Sequence, residues 1–193
     1  IVNVLFLLCC LPVVTAGASI AAMHKVTQAM ALDEDNGIVK TFFRGFRENF
    51  KQATALWLMM LFFAAAMGCN YMLISGFVAG TPATVLKGAL VVAIGLVLVM
   101  AAYMFPLMVR YTNTLRELAT NALILAVVKL PRTVGLFLLS CMPLLILALS
   151  LETFLNTMVV WLAIGFGFTA YMSASLLKPV FAELETGNVQ VMK

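Results

Sequence analysis

Charge is absent from long stretches of this chain. Uncharged runs cover 1–23, 52–86, 88–109, 133–151 and 153–177. A helix crossing a bilayer needs about 20 mostly apolar residues, so each run has roughly the length of a span. The second run is longer than one span and contains the turn-like SGFVAGTPAT (75–84), which predicts a helix followed by an external loop. The last two runs meet at Glu152 and predict a tight hairpin. The pattern therefore predicts an all-α, polytopic membrane fold: one transmembrane domain over 1–193, with spans near 1–24, 53–74, 86–109, 133–151 and 154–177.

The polar segments between the runs have their own periodicity. At about 100° per residue, Val39, Phe42, Phe43, Phe46, Phe50, Ala53 and Trp57 share an arc of roughly 100°. Lys40, Arg44, Arg47, Glu48 and Lys51 share a separate arc. Cations opposite aromatics predict a helix lying in the headgroup plane, an elbow over 38–52 with its Phe edge among the acyl chains. Trp57 then falls where interfacial aromatic belts form. Asn49, Lys51 and Gln52 are the polar positions on this elbow where a partner would bind. A second elbow is predicted over 112–130, with Arg116, Glu117, Thr120 and Asn121 on one side and Leu115, Leu118, Ala119 and Ala122 on the other. The tail 178–193 follows the last span. AYM at 102–104 and again at 170–172 hints at a duplicated helical unit.

Breaks and close contacts are also legible. Pro12 and Gly17 in LPVVTAG (11–17), together with Thr15, predict a kinked helix or a broken hairpin. Pro106 and Pro143 are expected to kink the third and fourth spans, and Pro131 marks the corner before the fourth. Gly17 with Ala21, Ala64 with Gly68, Ala89 with Ala93, and Ala163 with Gly167 are each four apart, a spacing that lets helices approach closely.

Charge supplies orientation. Lysines and arginines number 5 in 24–52, 1 in 70–87, 4 in 110–132, 0 in 151–156 and 2 from 178 onward. Positive residues favour the cytoplasmic side, so 24–52, 110–132 and the C-terminus are expected in the cytoplasm. Composition agrees with a lipid setting: 64% of residues are hydrophobic and 10% are charged, against about 25% charged in a soluble domain. The chain starts at Ile1 with neither Met nor a basic leader, and is read as lacking its first few residues.

Chemistry is sparse. His24 is the single histidine and sits beside Lys25 at the inner end of the first run. Cys9, Cys10, Cys69 and Cys141 lie in apolar runs without a CxxC pair, so no metal site or disulfide framework is expected. DEDNG (33–37) begins like a calcium loop, but the twelfth position, which needs Glu, is Arg44. It reads instead as a polar turn capping the next helix. No GxxxxGK[ST] loop and no GxSxG elbow occurs. Intramembrane ionisable residues, the usual mark of proton or ion paths, are nearly missing. The expectation is a non-enzymatic protein without cofactors and without a nucleic-acid partner.

LPVVTAGASIAAM (11–23), DEDNGIVKTFFRGFRENFKQATALWLMM (33–60) and VVKLPRT (127–133) together resemble the YesL family of bacterial membrane proteins. The matching positions are Pro12, Thr15 and Gly17, then Gly37, then Phe42, Phe43, Phe46, Asn49, Phe50, Lys51, Gln52, Ala53 and Thr54. The resemblance implies a small multi-pass protein of the bacterial cytoplasmic membrane, encoded beside carbohydrate ABC-type uptake systems. The leading expectation is an accessory or assembly subunit of such an importer, with the bilayer, importer subunits or a second copy as partners. The alternatives are a homo-oligomeric transporter or channel, suggested by the broken LPVVTAG helix, and a divergent ABC permease subunit, suggested by ELATNALILAVVKLP (117–131).

Overall fold

The computed structural model describes residues 1–34 and 37–186. Asp35 and Asn36 of the DEDNG turn, and 187–193 of the tail, lie outside the described residues. Among the described residues eight α-helices follow in order: α1 (Val2–Cys10), α2 (Ala16–Ala31), α3 (Ile38–Phe77), α4 (Thr81–Arg110), α5 (Leu115–Val128), α6 (Leu130–Leu149), α7 (Leu151–Val160) and α8 (Phe166–Glu185). A short 3₁₀ turn, Val13–Thr15, joins α1 to α2, and a π-turn, Trp161–Gly165, joins α7 to α8. No strand occurs among the described residues.

The helical membrane fold stands, with fewer long apolar helices among the described residues than the five spans expected. Among the described residues three helices are long and apolar enough to cross a membrane: Ile38–Phe77, Thr81–Arg110 and the α7–α8 unit Leu151–Glu185. The pair α5–α6 passes as a fourth only if its 111° bend is counted as one broken span. The first predicted span is two pieces. With 9 and 16 residues and 1.5 Å rise, they reach about 14 and 24 Å, short of the roughly 30 Å hydrocarbon core. The break falls at Pro12, whose missing N–H cannot extend α1. Thr15 Oγ1 donates to Cys9 O at 2.7 Å and to Pro12 O at 2.9 Å, tying off the freed carbonyls.

Two further boundaries move. The external loop predicted over 75–84 shrinks to 78–80, because α3 continues to Phe77 and α4 starts at Thr81. Gly80, at φ +73°, makes the turn, and Pro82 enters in the first turn of α4, where a missing N–H costs nothing. The elbow predicted over 38–52 is not a separate helix. α3 runs unbroken for 40 residues, because nothing between Lys51 and Trp57 interrupts the i→i−4 ladder. The corner before α6 does exist. Thr114 caps α5, with Glu117 N–H donating back to its hydroxyl and Thr114 N–H donating to Glu117 Oε2 at 2.6 Å. The backbone N–H of Thr114 is the main reason the Glu117 carboxyl titrates below the usual range. Pro131 stands in the first turn of α6 and so starts that helix, while α4 and α6 run on through Pro106 and Pro143.

The core sits where α4, α5, α6 and α8 meet α2 and α3. Tyr103, Leu107, Leu118, Leu125, Leu136 and Leu177 are its fully buried large side chains. Asn121, expected on the polar side of the second elbow, is instead buried with Leu118, Ala122 and Leu125. Tyr103 and Thr133 share a hydrogen bond of 2.8 Å across α4 and α6. Away from this core, α3, α4 and the α6–α7 hairpin present bare apolar side chains, among them Phe62, Met72, Phe77, Val91 and Leu96. Such faces are stable against hydrocarbon, which helices tolerate because their backbone bonds are internal.

The basic segments gather at one end. Lys25 pairs with Glu48 at 3.3 Å, Arg110 with Glu185 at 2.5 Å, and Glu183 accepts from both Lys129 and Arg132. Lys178 donates to Ala31 O at 2.8 Å. The 24–52, 110–132 and post-177 segments, expected on one side of the membrane from charge, are thus physically joined. Glu183→Gln should loosen the end of α8 from the α5–α6 corner. Because these groups are solvent-accessible and screened, the loss should be modest, read as a small drop in Tm in detergent micelles.

Candidate functional site

The predicted elbow is the N-terminal part of α3, and it packs antiparallel to α2. Its buried face is Thr41, Phe42, Gly45, Ala53 and Leu56. The aromatic arc read from sequence is rotated from this face by roughly 80°, taking 100° per residue. Glycine and amide side chains score poorly in a hydrophobic pattern, yet they sit on the packing side. Gly45 is why: a Cβ there would lie 2.8 Å from Lys25 Cβ and 3.3 Å from Ala22 Cα. Gly17 plays the same part at the other end of the contact, where a Cβ would run into Ala53 O. The two glycines bring the helix backbones together.

Phe42 is fully buried in a cluster with Phe6, Ala22, Met23, Val26 and Ala170, so it faces protein and not acyl chains, as a correction to the arc. Phe43 stands edge-on to Phe42, with ring centroids 5.7 Å apart, and is 42% exposed. Phe46 is partly buried and tilts against the exposed Phe50 at 5.5 Å. Arg44, Arg47 and Lys51 are exposed. Asn49 donates to Gly45 O of its own helix at 3.0 Å. Gln52 Nε2 donates to Asn113 O at 2.6 Å, holding the α4–α5 connection. Trp57 Nε1 donates to Val13 O at 2.8 Å, so the indole pins the broken 11–15 segment.

Pro12 and Thr15 form that segment, and Gly17 begins the α2 contact beside it. The four small-residue pairs separate. Gly17 with Ala21 is buried against α3, Gly167 touches Asn3, and nothing lies within 4 Å of a Cβ built at Gly68.

Two polar side chains bridge between helices: Gln28, which the sequence did not single out, and Asn3, a polar residue at membrane depth expected to hydrogen-bond between helices. Gln28, 6% exposed, donates to Pro106 O at 2.9 Å, binding α2 to α4 through a buried bond. Asn3 Nδ2 donates to Leu162 O at 2.5 Å and Trp161 O at 3.3 Å, while Gly167 N–H donates to Asn3 Oδ1 at 2.8 Å. A π-turn leaves backbone groups without their ordinary helical partners, and this one amide serves both sides of it. An isolated Asn in VNVLFLL was the available signal. Among the described residues no group of three metal-ligating side chains occurs.

The outward side of α3 is the mirror of its buried face. Phe43, Arg44, Arg47, Phe50 and Lys51 project from the packed end of the protein with no covering element among the described residues. A family model described as a protein of unknown function, DUF624, the YesL-type family, matches residues 1–71. That range holds α1, α2 and most of α3. VVKLPRT lies beyond it, so the likeness is supported over the first part of the stretch that carries it. No curated protein and no solved structure matches this chain.

Proposed function

We propose that this chain is a non-enzymatic accessory or assembly subunit of a membrane transport complex of the bacterial cytoplasmic membrane, with its C-terminus in the cytoplasm. A carbohydrate ABC-type importer is the proposed partner. The observation that carries the reading is the uncovered α3 face, where Phe43, Arg47, Phe50 and Lys51 recur at helical spacing. Exposed aromatics flanked by cations suit a protein partner at the membrane edge, since aromatic and Arg side chains supply most interface energy. Asn49 and Gln52 are poorer choices for that role, being engaged within the chain.

The test is capture of tagged chain from its native membranes in mild detergent, with mass spectrometry of the co-purifying chains. Importer subunits should be recovered with the unaltered protein. A Phe50→Ala, Arg47→Glu double variant should lose them while keeping its own Tm, because both side chains are exposed. Recovery of self-associated chain alone would overturn the reading. Solute flux through liposomes holding only this chain would favour a transporter in its own right.

A further inference from the structure

Two adjoining cavities open beside the α2–α3 turn, at the edge of the outward α3 face, which supplies Arg44. The first, of about 250 Å³, is lined by Lys25, Arg44 and Arg110. The second, of about 360 Å³, is lined by Asp33 and by apolar Met30 and Ile38. Glu34 and Thr41 line both. One compartment thus has a basic wall and its neighbour an acidic one.

Their depth follows from the sequence. Lys25 is the first charge after the initial apolar run, and Arg110 is the first after 88–109. Lys178, the first after 153–177, reaches Ala31 O at the same end. Three apolar runs therefore end beside these cavities, which is the level of lipid headgroups. The charges are divided unequally. Lys25 and Arg110 already have Glu48 and Glu185. Arg44 makes no ion pair among the described residues, and neither do Asp33 and Glu34. Thr41 is 6% exposed, and its hydroxyl makes no hydrogen bond among the described residues.

We propose that the two cavities together hold the headgroup of an aminophospholipid, its phosphate diester on the Arg44 side and its primary ammonium on the Asp33–Glu34 side. A purely anionic headgroup would satisfy Arg44 but face two uncompensated carboxylates. A quaternary ammonium would bring the charge without N–H donors, whereas a primary ammonium offers three. The Thr41 hydroxyl can donate to the phosphate, and Met30, about half exposed in the lining of the second cavity, meets the start of the acyl chains. The site is independent of the importer reading.

The experiment uses the full chain in mild detergent, stripped of lipid, with synthetic phosphatidylethanolamine, phosphatidylglycerol or phosphatidylcholine added to the micelles. Retained lipid is counted by native mass spectrometry, and Tm is followed in parallel. Phosphatidylethanolamine should be retained and raise Tm, and the other two should match lipid-free micelles. Arg44→Gln and Glu34→Gln are surface changes that should leave the lipid-free Tm unaltered. Each should weaken retention roughly tenfold, the effect of losing one charge-assisted bond. Equal retention of the other lipids, or full retention by both variants, would overturn the proposal. So would equal stabilisation by soluble glycerophosphoethanolamine, which would make the ligand a soluble zwitterion.

Discussion

Gly17→Ala should push α2 off α3 and sharply reduce the yield and Tm of the protein in micelles. The added methyl would collide with Ala53 O and lie 2.6 Å from Trp57 Cβ. Neither obstacle is the free end of a side chain, so the helices themselves must separate. Overpacking of this kind costs about 1–3 kcal/mol and at times more. Separation would also strain the indole bond from Trp57 to Val13 O and open the cluster around Phe42. Gly45→Ala should also lower Tm but less, since its nearest obstacle, Lys25 Cβ at 2.8 Å, moves only with the α2 backbone yet lies farther off than Ala53 O does from Gly17. Gly68→Ala is the control: nothing lies within 4 Å of its Cβ position, and Tm should hold or rise slightly through better helix propensity. A Gly17→Ala protein as stable as the Gly68→Ala one would mean that α2 and α3 do not touch at this point.

Asn3→Leu is the second large effect. The side chain keeps its bulk but removes two donated bonds and one accepted bond at the π-turn. Interhelical hydrogen bonds in membranes average about 0.6 kcal/mol, which taken alone would make the change small. Here the groups left behind are backbone carbonyls and an N–H in apolar surroundings, each costing about 1–3 kcal/mol if nothing replaces the lost partner. The expected total is thus about 2–4 kcal/mol, short of the sum because α7–α8 can relax toward an ordinary α-helical ladder. Hydrogen exchange should show the difference locally, with faster exchange at Gly167 and the α1 amides. Unchanged exchange there would remove α1 as the partner of the π-turn.

Both sites show where sequence reading worked and where it stopped. The apolar runs, the proline break at 11–15, the corner at Pro131 and the convergence of the basic segments were all readable, because each depends on local propensity or on summed hydropathy. The first span failed as a single helix for a reason visible in its own residues. Pro12 withholds an N–H, and Thr15 then binds the orphaned carbonyls and so stabilises the break. The angular pattern of 38–52 correctly separated apolar from charged positions. It missed the packing face, since Gly45 contributes nothing to a hydrophobic pattern and everything to backbone approach.

By itself the sequence determined that this protein is helical, that several helices are apolar enough to cross a membrane, and that its basic segments belong at one end. Those are properties of solvent preference, additive along the chain. The tertiary structure decided which surfaces are spent inside the protein. Phe42 is taken by α1, α2 and α8, Gln52 by the α4–α5 connection, and Asn3 by a π-turn more than 150 residues away. These outcomes depend on which backbones come close and which polar groups they leave unpaired, and that is a property of pairs of elements that no single stretch of chain carries.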